Sequence, residues 1–254
     1  MNDAEARLDE LVAIAAPYWA GEAEIVQIYF SGPRSRENDV RWLRAQCWKE
    51  IYGQLEGDPG GVIEGPIERL RESFPPVGQA ARRRFLHIAE ELYEEFHHYA
   101  MLADILDDLE GRPIPPDELE QLPEDVKLTR MRGQNRDREG ALGLFANKFC
   151  EGGGSSMYRA ASTVAGGDLE QRIAAAFSRI AGDEIDHMKT GAEGLRSLVQ
   201  TEEQWDKVKR MVRDLSRQRV RMRNEMFGFP LSEERLQEID EGNIQPVNRD
   251  ILKS

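Results

Sequence analysis

Twice in this chain a glutamate and a histidine three residues apart interrupt what is otherwise the apolar stripe of a long helix. The first pair lies in ARRRFLHIAEELYEEFHHYAMLADILDDL (81–109), where Ile88, Leu92, Glu95, His98, Tyr99, Leu102, Leu106 and Leu109 share one face. The second lies in LEQRIAAAFSRIAGDEIDHMKTGAEGLRSLV (169–199), where Ile173, Phe177, Ile180, Ala181, Glu184, His187, Met188, Gly191, Leu195 and Leu198 do the same. A helix turns about 100° per residue. The overlapping pair Glu94 and His97 therefore falls on another face, with His87, Glu90, Asp104 and Asp108, and His97 is expected to meet solvent. A carboxylate on a buried stripe is costly unless it is paired or bound to a metal. One Glu-x-x-His is common by chance. Two of them, each on the core face of a long helix, call for a helical assembly that gathers carboxylates and imidazoles inside it.

The rest of the chain is written in the same period. Apolar residues recur at steps of three and four in VRWLRAQCWKEIYGQL (40–55), EGALGLFANKFCEGGGSSMYRAAS (139–162) and EEQWDKVKRMVRDLSRQRVRMRNEMF (202–227), and period-two alternation is nearly absent. Breakers separate the runs: EGDPGGVIEGP, EGRPIPPDELEQLPED, AGGD and GFPLS. The stretch 111–136 is too long for a helix hairpin and suits a crossover connection. The expectation is an all-α fold: a four-helix bundle with a long crossover between helices 2 and 3, in a single domain over 1–254. The bundle core would span about 36–199, with an N-terminal helix near 3–30 and a C-terminal helix and tail over 201–254 packed outside it.

Charge and cysteine usage narrow the partners. A formal net charge of -13 repels phosphate backbones and anionic lipid surfaces, which weighs against nucleic acid. No stretch approaches the roughly 20 apolar residues that span a bilayer, and the start has no basic n-region, so a cytoplasmic protein is expected. Cys47 and Cys150 match neither a disulfide scaffold nor a thiolate zinc site.

Two divalent cations need about four negative charges from oxygen ligands, with imidazoles in remaining positions. The third helical run offers Glu151, in phase with Leu144, Asn147 and Lys148, and the first offers Glu50, beside Val40, Leu43 and Cys47. The motifs EEFH (94–97) extended to His98, CEGGGSS (150–156) and DEIDHM (183–188) make residues 36–199 resemble the ferritin-like diiron-carboxylate superfamily, in particular its oxygenase branch. The acid-Glu-x-x-His form occurs twice, as Glu94-Glu95-x-x-His98 and Asp183-Glu184-x-x-His187. The resemblance implies two iron ions, or a manganese–iron pair, held by Glu50, Glu95, His98, Glu151, Glu184 and His187, with dioxygen as cosubstrate. It also implies that Asp183 orients His98 and that Glu94 orients His187. One departure concerns the first ligand, whose separation from the second is longer than in relatives because DPGGVIEGPIERLRESFPP is inserted. Glu64 or Glu68 would restore the spacing, although Pro66 and Pro75-Pro76 argue against a long inward helix there, and Glu22 and Glu24 are further candidates.

The choice among diiron activities rests on other features. Each glycine inside a helix costs about 0.5–1 kcal/mol against alanine, so the run after Glu151 reads as space left for substrate or dioxygen, or else as close helix packing or a π-type bulge. Ser155, one turn after Glu151, would relay protons at the site or simply bond the carbonyl four residues back. Tyr99 and Tyr158 would be either redox-active or ordinary core tyrosines. On the last helix, Trp205, Val208, Val212, Leu215, Met222 and Met226 form an apolar face. Lys207, Lys209, Arg210, Arg213, Arg217, Arg219, Arg221 and Arg223 form a basic one, and Arg82 to Arg84 a second cluster. These would dock an acidic redox partner, a carrier or a substrate carboxylate, or be solvated and bridged to acidic neighbours.

The function expected is a dioxygen-activating non-haem diiron oxygenase or oxidase acting on a small organic substrate by hydroxylation, N-oxygenation, desaturation or bond cleavage. No flavin or reductase motif is present, so electrons would come from an external ferredoxin or reductase. A homodimer is open. The alternatives are a ferroxidase or rubrerythrin-like peroxidase, a tRNA-modification hydroxylase, and a metal-free helical interaction protein.

Overall fold

The computed structural model describes residues 3–53 and 61–246, and among these every regular element is helical, with no strand. The elements are α1 (Asp3–Ser31), α2 (Arg36–Ile51), α3 (Glu64–Ser73), α4 (Gln79–Glu110), α5 (Pro123–Glu139), α6 (Ala141–Phe149), α7 (Gly152–Ala161), α8 (Asp168–Leu198), α9 (Glu202–Met226) and α10 (Glu233–Asp240). The last residues of the first helical run, 54–55, and the tail beyond 246 lie outside the described residues. No helix among those described is long and apolar enough to cross a membrane.

The chain falls into two compact units. One, Ser35–Gln121, holds α2, α3 and α4; the other holds α1 and α5 to α10. In the first unit α4 packs on both α2 and α3. α2 starts with a capping box: Ser35 accepts from the Asn38 N–H, and the Asn38 side chain accepts from the Ser35 N–H. The core of this unit is built from Trp42, Leu43, Cys47, Leu102, Ile105 and Leu106. α4 stops at Gly111, whose φ of 71° is the left-handed conformation that closes a helix C-terminus.

In the second unit α7 packs between α1 and α8, and α9 lies on α1, α5 and α6. Its core includes Trp19, Phe149, Met157, Tyr158, Phe177 and Leu215. Two features depart from the sequence expectation. The stretch taken as a crossover holds most of α5, a helix of 17 residues. Pro123 opens it at the first helical position, where its missing N–H costs nothing. Glu124 and Asp125 in the first turn and Arg136 and Arg138 in the last then suit the helix dipole.

The third helical run is also broken. Cys150 and Glu151 keep right-handed helical dihedrals. The turn tightens, however: the Glu151 N–H bonds Lys148 O at 3.0 Å and the Gly153 N–H bonds Cys150 O at 3.3 Å, both three residues back. A π-type bulge would have widened the turn, whereas this one narrows it to 3₁₀ geometry.

Candidate metal sites

Among the described residues, two groups of three side chains bring metal-binding atoms together, one in each unit: Glu50, Glu95 and His98, and Glu151, Glu184 and His187. Within each trio one donor atom from every residue lies within 4.8 Å of the others.

In the first trio, Glu50 comes from the last turn of α2, and Glu95 and His98 come from adjacent turns of α4. His98 is 0% exposed and Glu50 5%. His98 Nδ1 lies 3.8 Å from Glu50 Oε2 and 3.8 Å from Glu95 Oε2, too far for a hydrogen bond, and that atom makes none. Donors about 2.1 Å from a shared first-row ion stand roughly 3.0–3.4 Å apart at octahedral to tetrahedral angles. His98 Nδ1 would therefore have to approach each carboxylate oxygen by about 0.4–0.8 Å to share an ion with it. Two carboxylates and a neutral imidazole also match the charge and donor preference of a divalent iron, manganese or zinc ion. The residues fit such an ion.

Buried Gln46, one turn before Glu50, donates its Nε2–H to Glu50 Oε1, so that carboxylate presents its other oxygen to His98. Cys47 lies close by; burial pushes its thiol up, and the Glu50 and Asp107 carboxylates push it further. Burial likewise raises the Tyr99 phenol, with Cys47 and Asp107 adding to the effect. His97, next to His98 in sequence, is half-buried with its ring 5.6 Å from that of Tyr93. Glu94 is also half-buried on α4.

In the second trio, Glu151 sits at the tight turn between α6 and α7, and Glu184 and His187 lie on α8. His187 Nδ1 is 3.7 Å from Glu151 Oε2. This trio has cationic neighbours. Arg132 Nη2, from α5, is 3.8 Å from Glu151 Oε1, and Arg219, from α9, is near enough to Glu184 and Glu151 for both carboxylates to act on its charge. Arg219 is held by Glu22, which is 0% exposed. Its Nε donates to Glu22 Oε1 at 3.0 Å and its Nη2 to Oε2 at 3.3 Å, while Arg223 Nε donates to Oε2 at 3.2 Å. Burial alone would depress the Arg219 guanidinium; Glu22, then Glu184 and Glu151, outweigh it and leave its pKa above the ordinary arginine value. Asp183 is 3.6 Å from Arg179 Nε, one turn away on α8.

The glycine run is explained by this cluster. A Cβ on Gly153 would clash with Glu22 Oε1 and stand 2.7 Å from Glu22 Cδ. On Gly152 it would lie 2.6 Å from Met188 Sδ and 2.7 Å from Trp19 Cζ2, and on Gly154 3.1 Å from Arg219 Nη2 and 3.2 Å from Glu184 Oε2. The space beside Glu151 that the sequence suggested for substrate is filled by Trp19, Glu22, Met188 and Arg219. Close helix packing is what the glycines allow.

Ser155 is fully buried, and its hydroxyl points across to the Ala181 carbonyl of α8 at 3.5 Å rather than back along its own helix. Ser156 makes the backward bond, to Gly152 O at 3.0 Å. Tyr158 is a core residue, its ring edge-on to Phe177 at 5.0 Å between centroids. The other candidates for the first ligand lie elsewhere. Glu64 and Glu68 are exposed, Glu68 bonded to Arg71 at 3.1 Å, and Glu24 pairs with Arg235 at 2.7 Å.

The basic face of α9 is largely neutralised. Arg219 and Arg223 point inward, Lys209 meets Glu10 and Asp206, Arg217 meets Asp240, Arg221 meets Glu233, and Lys207 meets Glu139 and Glu203. Comparison with protein-family models, with curated proteins and with solved structures gives no match for this chain.

Proposed function

We propose that this chain is a non-haem diiron oxidoreductase of ferritin-like fold that uses dioxygen to oxidise a small organic substrate. The observation that carries the reading is the pair of trios, each two carboxylates and one imidazole, each centred on a Glu-x-x-His. Under this reading Glu50, Glu95 and His98 hold one ion, and Glu151, Glu184 and His187 hold the other. The resemblance to the ferritin-like superfamily implies that two such ions serve a single dinuclear centre. When bound, the irons would supply the electrons that reduce dioxygen, replenished by an external ferredoxin or reductase; a manganese ion in one position suits the same donors.

The chain's own residues would do the rest. Gln46 fixes the Glu50 carboxylate, so that Oε2 is the oxygen offered to an ion. Asp183 and Glu94 would orient the two imidazoles and raise their basicity. The Ser155 hydroxyl, held only by a long bond to Ala181 O, can turn to hold or pass a proton near Glu151. Arg132 and Arg219 offset negative charge around Glu151 and Glu184.

One observation favours a second reading, a ferroxidase or peroxidase. The glycine face beside Glu151 is packed, so the space expected for an organic molecule is not found there. No such observation favours the tRNA-hydroxylase alternative, since most cations on α9 face carboxylates.

Dioxygen uptake by the anaerobically iron-loaded chain, supplied with a chemical electron donor, separates these readings. Uptake accelerated by small organic compounds and matched by oxidised product supports the oxygenase. Uptake that ends when Fe²⁺ is exhausted, whatever organic compound is added, supports the ferroxidase. A chain that binds iron and never consumes dioxygen sinks both.

A further inference from the structure

Helix α4 carries its charges on the wrong ends for an isolated helix. Arg82, Arg83 and Arg84 sit in its first turns, where the positive end of the helix dipole disfavours cations. Asp104, Asp107, Asp108 and Glu110 sit in its last turns, which contain no basic residue. Between these ends runs an exposed apolar strip: Leu86 is 61% exposed, Tyr93 64% and Phe96 51%. Six of the nine large hydrophobic side chains that the described structure leaves exposed fall between Ile67 and Phe96. Phe74, one of them, packs on Phe85 at the flank of this same strip, 6.1 Å between ring centroids.

The spacing along the strip is self-complementary. Leu86 and Ala100 both lie 7 residues from Tyr93, and Arg82 and Asp104 both lie 11 residues from it. Steps of 7 and 11 residues return to within about 20° of the same helix face. Arg82, Leu86, Tyr93, Ala100 and Asp104 therefore share one face, symmetric about Tyr93. If a second α4 crosses it antiparallel with Tyr93 on the two-fold axis, Arg82 of each copy meets Asp104 of the other, Leu86 meets Ala100, and Glu90 falls beside His97. The misplaced charges of one helix then face the compensating end of its neighbour, and the apolar strip is covered. A two-fold contact uses the same patch on both copies, as this pattern does.

We propose that this face of α4 is a homodimer interface, two copies crossing antiparallel about Tyr93, with Arg82 of each against Asp104 of the other. Charge complementarity and register both select a second copy of this chain as the occupant, because the matching surface is present on the molecule itself.

The full chain, of 28.9 kDa, is tested by sedimentation velocity at micromolar concentration. The wild type is expected to sediment at twice the monomer mass. Tyr93→Cys should form a disulfide-linked dimer on mild oxidation, since a residue on the axis meets its own copy, whereas Leu86→Cys should not. The native cysteines, both buried, should not interfere. Arg82→Asp and Asp104→Arg should each weaken the dimer by about tenfold or more, because each places like charges opposite one another twice. Combined in one chain, they should restore it. All these positions are exposed or half-exposed, so helical content by circular dichroism should be unchanged. A wild type that stays monomeric, a dimer in which Leu86→Cys links and Tyr93→Cys does not, or a double swap no tighter than the single ones would each overturn the proposal.

Discussion

Replacing Gly153 with alanine separates two physical accounts of the glycine run. Helix propensity alone says that Gly153→Ala stabilises α7 by about 0.5–1 kcal/mol. The packing says the opposite. The new Cβ would stand 2.7 Å from Glu22 Cδ, where a carbon–carbon contact needs about 3.5 Å or more, so the carboxylate must move by roughly 1 Å. Its bonds to Arg219 and Arg223, at 3.0 to 3.3 Å, do not survive a shift of that size. Breaking a buried pair outright costs about 3–5 kcal/mol. Here the carboxylate is displaced and not deleted, and propensity returns part of the loss, so the net expected is about 2–3 kcal/mol of destabilisation. Urea denaturation followed by helical circular dichroism measures it, in a double-mutant cycle with Glu22→Ala. In that background the methyl has room, and Gly153→Ala should be neutral or mildly stabilising. If Gly153→Ala stabilises the wild type, or costs the same in both backgrounds, the buried Glu22 cluster is not what the glycines serve.

Other outcomes follow from single sites. The cations around Glu151 and Glu184 should make the second trio the weaker one: Mn²⁺ titration should show two steps, His187→Ala should abolish the weaker, and Arg132→Leu should tighten it several-fold. Cys47 and Cys150 are fully buried, and burial pushes the Cys150 thiol up to about 11, so a thiol reagent should find none in the native chain and two after unfolding. Burial, with the Asp240 carboxylate beside it, pushes the Tyr18 phenol up to about 12. A raised folded pKa keeps its stabilising contribution in full below about pH 10 and loses it as pH rises towards 12. The alkaline loss of stability should therefore shrink by roughly 2 kcal/mol in Tyr18→Phe.

Helical phase carried most of what could be read in advance. The stripe through Ile88, Leu92 and Leu102 places His98 in the interior while His97 is half-buried, and the near absence of period-two alternation anticipated the lack of strands among the described residues. The same tool would have found Glu22 and Arg219. Glu22 continues the α1 stripe of Leu11, Ala15, Trp19 and Ile25, and Arg219 lies four residues beyond Leu215 on the α9 stripe. Counting the arginines of α9 as one basic face hid a buried ion cluster. Helix α5 was concealed by the prolines before it, although Pro123 is a helix start as well as a breaker. The tight turn at Cys150 and Glu151 has no period of its own, because it is set by what α1 presses against the following glycines. Gln46, one turn from Glu50 and buried, is a polar residue whose role appears only once its acceptor is in place.

The central claim is that the two trios hold two irons that react together with dioxygen. Mössbauer spectroscopy of the chain loaded anaerobically with ⁵⁷Fe²⁺, before and after exposure to dioxygen, tests it most directly. The account predicts two high-spin ferrous ions per chain that convert to a spin-coupled, diamagnetic diferric pair, with His98→Ala and His187→Ala each losing that pair. Iron that stays ferrous, oxidises only to isolated high-spin ferric ions, or binds no better to the wild type than to the double histidine variant would contradict it.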